Sequence, residues 1–493
     1  MNRRNLLRSG ALLATAAALP AARAAKPRQP NIVLIMLDDV SPEMYGCYGS
    51  KDAKTPNIDR WSKEGVMFRT AWGSAVCTPS RALIMTGRYA TTTGFWYNGF
   101  AVPQKDGTND LFKHHHSFGK LMQQEGYATA VVGKWHVGSA EAPHHKHVGF
   151  DEYCLWEGPK ELGQLPDKPE HTGLWEDEKT PSRYWDPCFV INGNYRPPNK
   201  GDFGPDISVD FLNGFMERKV KEDKPFLAYW ACVAPHGTRK GSPTCPIYGK
   251  PGTMDKDKAD DRNRFRALND YIDILVGKVE QKVNELGIAD NTVFIICSDN
   301  GTASIAKSRG VERGCHVLFI AKGAGVKQRG TTDELTDFSD ILPTLLDYAG
   351  GTPPENYELH GQSLKPFLSG ASDAHRDYIF ACTGTSQLMR TKTHMLEVVN
   401  PILDVPDGRF YYCGNHRFGK GYKRVDNDPE HASQRAYFEK TMAKYPNITN
   451  EHPYFQDQRA ADWLTGWKDP RAAGKHLHNH KDFQFYDEAL DRD

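Results

Sequence analysis

Ile32-Val33-Leu34-Ile35-Met36-Leu37-Asp38-Asp39 sets an unbroken aliphatic run directly against two adjacent carboxylates. A short, β-branched apolar run of this kind reads as a buried strand. Three more runs share its form. Residues 128–132 lead to Lys134 and His136, residues 225–233 to His236, and residues 292–297 to Asp299 and Asn300. Between the last two runs, Phe265, Leu268, Ile272, Leu275, Val276, Val279, Val283 and Leu286 recur at helical spacing, with Gly287 as a stop. A second helical pattern covers residues 340–349 and ends at Gly350-Gly351 and Pro353-Pro354, a candidate domain boundary. The alternation predicts an α/β fold: a large, mostly parallel sheet flanked by helices. Ligands of such sheets bind beyond the carboxyl ends of the strands, so the four polar clusters are expected along one edge.

The clusters have a chemistry of their own. Adjacent aspartates repel, and a cation between them relieves the repulsion. Asp38, Asp39, Asp299 and Asn300 offer oxygen donors alone, which suits Ca²⁺ or Mg²⁺ and not zinc. Taken singly, an aspartate at a strand end is an ordinary cap or turn residue. Four such ends together point to a site. Cys77-Thr78-Pro79-Ser80-Arg81 adds a nucleophile: Pro79 fits a helix's first turn, which puts Cys77 at a helix N-terminus. From position alone Cys77 is either a low-pKa cysteine beside an arginine or a buried cysteine preceding a helix.

The 493 residues suggest two or three units at ~100–200 residues each. Lys+Arg and Asp+Glu both total 62, so no net positive field exists to attract nucleic acid or an anionic membrane. At the N-terminus, Arg3 and Arg4 precede an apolar stretch and an Ala22-Arg23-Ala24 cleavage pattern. That stretch is shorter than the ~20 residues of a spanning helix, so residues 1–24 read as a cleaved signal peptide of twin-arginine type. Export to the periplasm, or secretion, follows. No later segment is apolar enough to span a membrane. The ten cysteines show no zinc spacing, and no disulfide is assigned; Cys232 and Cys297 sit in strand-like runs and read as core. Beyond residue 370, short strands over residues 378–413 and a helix over 430–444 suggest a smaller α+β unit. The histidine runs at 114–116, 144–147 and 476–480 read as solvated loops. Trp156, Trp175 and Trp185 would either stack on sugar rings or anchor loops.

Cys77-x-Pro79-Ser80-Arg81 resembles the signature of the sulfatase family, in which the cysteine is oxidised to formylglycine. The resemblance continues through Asn31-Ile32-Val33 to Asp38-Asp39, Thr55-Pro56-Asn57-Ile58-Asp59, and Gly133-Lys134-Trp135-His136-Val137-Gly138. It extends to Ala234-Pro235-His236, Ser298-Asp299-Asn300-Gly301 and Asp340-Ile341-Leu342-Pro343-Thr344. Covering much of residues 31–351, it implies an alkaline-phosphatase-like fold for the catalytic domain, taken as residues 25–370, with the smaller α+β unit read from the later strand and helix patterns taken as 371–493. It also implies that Asp38, Asp39, Asp299 and Asn300 hold Ca²⁺, with the modified Cys77 completing the shell. Arg81 would brace the formylglycine, and Lys134 and Lys307 would bind sulfate oxygens. His236 would bind the ester and protonate the leaving oxygen, while His136 would take a proton from the formylglycine hydrate. One geminal hydroxyl of that hydrate attacks sulfur, and the other expels sulfate as the aldehyde re-forms. Lys307 is assigned because it stands five residues before Glu312. The family's Glu-Gly-Gly stands here as Glu312-Arg313-Gly314, followed by Cys315-His316.

The implied partners are a sulfated carbohydrate and a formylglycine-generating or maturase enzyme. A phosphonate or phosphodiester hydrolase of the same superfamily is the nearest alternative. A non-catalytic binding protein on the same fold is the other.

Overall fold

The computed structural model describes residues 28–98, 100–101, 110–137, 148–156, 182–238, 241–251, 260–302, 306–307, 310–383, 386–400, 406–419 and 421–447. The signal peptide, Trp175 and the histidine runs at 144–147 and 476–480 lie outside the described residues.

In chain order, the strands are β1 (Asn31–Leu37), β2 (Val66–Trp72), β3 (Phe95–Tyr97), β4 (Phe100–Ala101), β5 (Ala128–Gly133) and β6 (Glu152–Leu155). They continue with β7 (Phe189–Ile191), β8 (Asn194–Arg196), β9 (Phe226–Ala231), β10 (Thr292–Ser298), β11 (Phe319–Gly323) and β12 (Gly330–Asp337). All but the β3–β4 ribbon join one sheet, ordered β12-β2-β11-β10-β1-β9-β5-β6-β7-β8. The four apolar runs become its centre: β10, β1, β9 and β5 are neighbours and run parallel. Every residue of these four strands is buried. That explains why they read as continuous runs without alternation, as strands covered on both faces do. In β1, Ile32, Leu34 and Met36 enter one core while Val33, Ile35 and Leu37 enter the other. The helices Gly204–Lys221 and Asp261–Glu285 cover the second face, and Cys77–Thr86 and Ile341–Ala349 the first. Antiparallel pairing is confined to β11 and to β7 and β8. The architecture is alkaline-phosphatase-like. The predicted stop falls where it was expected, since Gly287 has a φ of 67°, a left-handed conformation suited to ending a helix.

A second, antiparallel sheet contains β13 (Tyr378–Thr383), β14 (Ser386–Thr391), β15 (His394–Val399), β16 (Arg409–Tyr412) and β17 (Lys423–Arg424), in that order. Its residues alternate with period two. Phe380, Met389 and Leu396 join the first core of the large sheet. Ile379, Leu388 and Met395 pack with Trp72 and Cys315. Past the Gly350-Gly351 cluster, Leu364, Phe367 and Leu368 return to the first core as well. All ten cysteines are free thiols, nine of them buried, and Cys232 and Cys297 lie in the core as expected.

Glu397 of β15 is wholly buried, and burial pushes its carboxyl up to about 7 despite the nearby Arg409. The folded state therefore holds a proton that the unfolded chain gives up near its ordinary value of 4.5. The stability this proton carries is full below that value and is lost as pH rises through about 7. Glu397→Gln is expected to melt above the parent protein at pH 8, with the advantage gone by pH 5. Thermal melts at the two pH values check this; an equal offset at both would contradict it.

Candidate active site

Strand pairing runs one step beyond the sheet and gathers the polar ends. Asp38 N–H donates to Ala234 O at 3.0 Å, Asp299 N–H to Leu37 O at 2.8 Å, and Lys134 N–H to Ala231 O at 2.7 Å. Immediately afterwards Asp39 and His136 take positive φ values of 61° and 48°, left-handed conformations that non-glycine residues seldom adopt. Cys77 opens the helix Cys77–Thr86, as its sequence predicts, and all ten residues of that helix are buried. The preceding turn is held by Ser80 Oγ, which accepts from Ser74 N–H at 2.8 Å and donates to Ser74 O at 3.0 Å. The chain passes so close to Asp299 here that a Cβ on Gly73 would lie 2.6 Å from the Asp299 carbonyl oxygen.

These elements bring most of the sequence-derived residues into direct contact. Cys77 Sγ lies 3.4 Å from Asp38 Oδ1 and 3.7 Å from Asp39 Oδ1. Lys134 Nζ donates to Asp38 Oδ2 at 2.8 Å. Arg81 donates to Asp299 Oδ2 at 2.9 Å, and Asp299 Oδ1 accepts from Asp39 N–H at 3.1 Å. Lys307 Nζ is 2.6 Å from Asp39 Oδ1, 3.3 Å from Cys77 Sγ and 3.1 Å from His236 Nε2. Lys307 thus belongs to the cluster despite the altered Glu-Arg-Gly stretch that follows it. His136 sits at the end of β5 within the same electrostatic field, which includes Lys134, Arg81 and Asp38.

Asp38, Asp39, Asp299 and Asn300 have no solvent exposure. Burial opposes ionisation at Asp38, but Lys134, His236, Arg81 and Lys307 outweigh it and hold its carboxyl well below the usual range. At Asp299, burial and the neighbouring Asp38 prevail over Arg81 and push the carboxyl up to about 7. Burial drives His236 down to about 3 in spite of Asp39, and drives His136 down with help from Lys134 and Arg81. Of the two readings open for Cys77, the structure favours the buried cysteine at a helix start. Burial, then Asp299 and Asp38, push its thiol well above the ordinary value. The helix N-terminus and Arg81 do not make an acidic thiolate, because the side chain points among carboxylates.

The donor set fits a hard divalent cation. Asp38 and Asp39 bring carboxylate oxygens together, and Asp299 and Asn300 stand beside them through contacts with Asp39. Asn300 Nδ2 is engaged by Asp39 Oδ1 and Gly301 O, whereas its Oδ1 is buried with no hydrogen-bond partner. Among the described residues, one group of at least three candidate ligands converges, with donor atoms of Asp38, Asp39, Cys77 and His236 within 4.8 Å of one another.

Arg183 escaped the sequence reading. Its Nη1 lies 3.2 Å from His236 Nδ1, and its guanidinium sits 4.4 Å over the Trp156 ring. It follows no apolar run, so nothing in the pattern marked it; the adjacent Tyr184, whose hydroxyl donates to His236 O at 2.6 Å, shares that anonymity. Trp156 and Trp185 are buried, which makes them packing residues and not open sugar platforms. His115 and His116 pack near Arg88 and Tyr357.

The family model described as Sulfatase matches residues 30–351. The chain is 29% identical over 394 residues to N-acetylgalactosamine-6-sulfatase of Canis lupus familiaris, covering 75% of this chain and 71% of that protein. The solved structure of PsFucS1 sulfatase from Pseudoalteromonas sp. superposes with a TM-score of 0.65 at 22% identity, covering 86% of this chain and 92% of that one. Another, described as a complex with its substrate D-glucosamine-2-N,6-O-disulfate, gives 0.62 at 21% identity, with 85% and 98% covered.

Proposed function

The chain belongs to the sulfatase family and is a sulfuric ester hydrolase, and from that premise we propose an exported enzyme that removes sulfate from carbohydrates, using formylglycine made from Cys77 and bound Ca²⁺. The observation that carries the reading is the meeting of Cys77 with Lys307, Asp38 and Asp39 within 3.3–3.7 Å of its sulfur. A formylglycine at Cys77 would supply an oxygen nucleophile where a thiolate is disfavoured. Ca²⁺ held by Asp38, Asp39, Asp299 and Asn300 would draw charge from a bound sulfate.

The remaining work falls to this chain's own groups. Lys134 and Lys307 bind sulfate oxygens and offset the charge that grows as the S–O bond breaks. Arg81, pinned by Asp299, steadies the residue at position 77. Gly237 O accepts from His236 Nδ1 at 2.5 Å, which leaves Nε2, on the Lys307 side, to bind the ester; it passes a proton to the leaving oxygen only after taking one up at that nitrogen, where Lys307 Nζ stands 3.1 Å away as a donor. His136 Nδ1 is buried without a hydrogen-bond partner, and burial keeps the ring neutral, so it is able to accept a proton.

The carbohydrate substrate rests on the sugar sulfate named by the canine relative and on the sugar in the superposed complex. Export rests on Arg3, Arg4 and the apolar stretch after them. Ten unbridged cysteines suit a twin-arginine route, because a chain folded before export carries its thiols already buried. No described helix is long and apolar enough to cross a membrane. The division into residues 25–370 and 371–493, and the need for a maturase, belong to the same proposal.

The test is inorganic sulfate release from sulfated mono- and oligosaccharides, against phosphate release from phosphate esters of the same sugars. Sulfate release is expected to dominate by at least about 10²-fold in kcat/KM, a discrimination of ~3 kcal/mol in the transition state. A preference for phosphate would move the chain to the phosphonate and phosphodiester branch of its superfamily.

A further inference from the structure

Lys307 rides on the connection between β10 and β11, beside the buried Ala306. Its backbone N–H donates to Thr302 O at 3.1 Å, and Gly301 N–H donates to Gly314 O at 3.0 Å. The firm anchorage lies five residues further on, at the single turn Glu312–Cys315, and it comes from the other sheet.

Glu312 and Arg390 have no side-chain exposure, and Arg390 Nη1 meets Glu312 Oε1 at 2.7 Å. Tyr422 OH donates to Glu312 Oε2 at 2.9 Å. Glu312 N–H donates to Glu397 Oε2 at 3.1 Å, so β15 grips the main chain while β14 grips the side chain. Arg390 Nη2 donates to His416 O at 2.9 Å, tying the guanidinium to the segment between β16 and β17. The turn's last residue, Cys315, is embedded among Ile379, Leu388 and Met395 of the same sheet. Its carbonyl accepts from Gly73 N–H at 2.9 Å, at the foot of the loop leading to Cys77.

We propose that the C-terminal sheet positions one cation of the site: Arg390, Tyr422 and Glu397 lock Glu312, and the locked turn sets where Lys307 stands relative to Cys77. Glu312 and Arg390 are positioning residues, acting through Lys307 without touching substrate. Two features make the arrangement more than packing. A buried carboxylate answered by a buried guanidinium and a phenol defines a position far more sharply than apolar contact does. The turn is also tied to both loops that bear on the sulfur, through Lys307 on one side and Gly73 on the other. A shift of about 1 Å in a group that orients the reacting centre costs on the order of 10²-fold in rate.

The inference rests on the proposed role of Lys307, and the experiment separates the two. Glu312→Gln keeps the shape and removes the charge; it is measured alone and combined with Lys307→Ala, with kcat, KM and thermal melts for each. Glu312→Gln alone is expected to lower kcat/KM by about 10-fold or more, and by less than about 2-fold once Lys307 is gone, because a misplaced lysine and an absent one cost the same step. Equal losses in both backgrounds, or unchanged kcat/KM in the single variant, overturn the positioning role. Full activity in Lys307→Ala overturns the lysine's assignment itself, and the inference with it. Should Glu312→Gln fail to fold, the same cycle with Tyr422→Phe, which keeps the ion pair, gives the same readings.

Discussion

Cys77→Ala is expected to lower kcat by at least about 10⁴-fold while shifting the melting temperature by no more than a few degrees. The loss follows from covalent catalysis. With the nucleophile gone, what remains is charge stabilisation and substrate binding by Lys134, Lys307 and Arg81, and such remnants recover a small part of the acceleration. Stability should change little. The substitution removes one buried sulfur, costing about 1 kcal/mol, and the polar contacts of the Cys77 sulfur are long, at 3.3 Å to Lys307 and 3.4 and 3.7 Å to Asp38 and Asp39. The same preparation answers a second question. Peptide mass spectrometry of the parent protein from its native host should find the peptide bearing Cys77 lighter by the change from thiol to aldehyde. A thiol throughout, in protein that still turns over, would sink the formylglycine assignment and return the raised thiol to the mechanism. A variant that kept its physiological task intact would favour the binding-protein alternative.

The parts of this fold that could be read from sequence are those where one physical demand dominates. Strands β10, β1, β9 and β5 are covered on both faces, so burial alone dictated their composition, and all four were visible as apolar runs. The outer strand β12 was not, because Gly330–Asp337 is largely polar and only its last three residues are buried. Its place depends on pairing with β2, a contact made over 260 residues away in the chain. The site divides in the same way. Asp38, Asp39, Lys134, His236, Asp299 and Asn300 follow strand ends, where the parallel-sheet rule puts ligands, and their spacing could be argued without a structure. Lys307 could be reached through its offset from Glu312, but what Glu312 does could not. Its partners Arg390 and Tyr422 belong to the second sheet, where the composition carries no hint of a buried ion pair. The choice that stayed open at Cys77, between an acidic thiol and a buried one, has a related cause. Helix position is a local property, but the thiol's field is set by Asp299 and Asp38, brought in from elsewhere in the chain.

Removing divalent cations with a chelator is expected to cut kcat/KM by at least about 10²-fold and to lower the melting temperature by several degrees, both restored by Ca²⁺ and not by Zn²⁺. Charge balance alone does not require this. Asp38 and Asp39 carry full negative charges and Asp299, pushed up to about 7, a partial one, against the three positive charges of Arg81, Lys134 and Lys307, with Lys307 Nζ only 2.6 Å from Asp39. A cluster so paired could close on itself with no ion. Two observations favour the cation. Asn300 Oδ1 is buried with no donor facing it, an unpaid desolvation that a metal would relieve. A sulfate ester also brings a further negative charge beside these carboxylates, and the two positive charges of a cation would leave the loaded site net positive, which favours the anionic substrate. Ligand-linked stabilisation of ~4 kcal/mol is reached at a thousandfold excess over Kd, enough to move the melt visibly even in a chain of this size. The selectivity for Ca²⁺ comes from donors that are all oxygen. If chelation leaves melting and turnover unchanged, Lys307 is the permanent counter-ion of Asp39 and cannot also bind sulfate, so the metal and lysine assignments fall together.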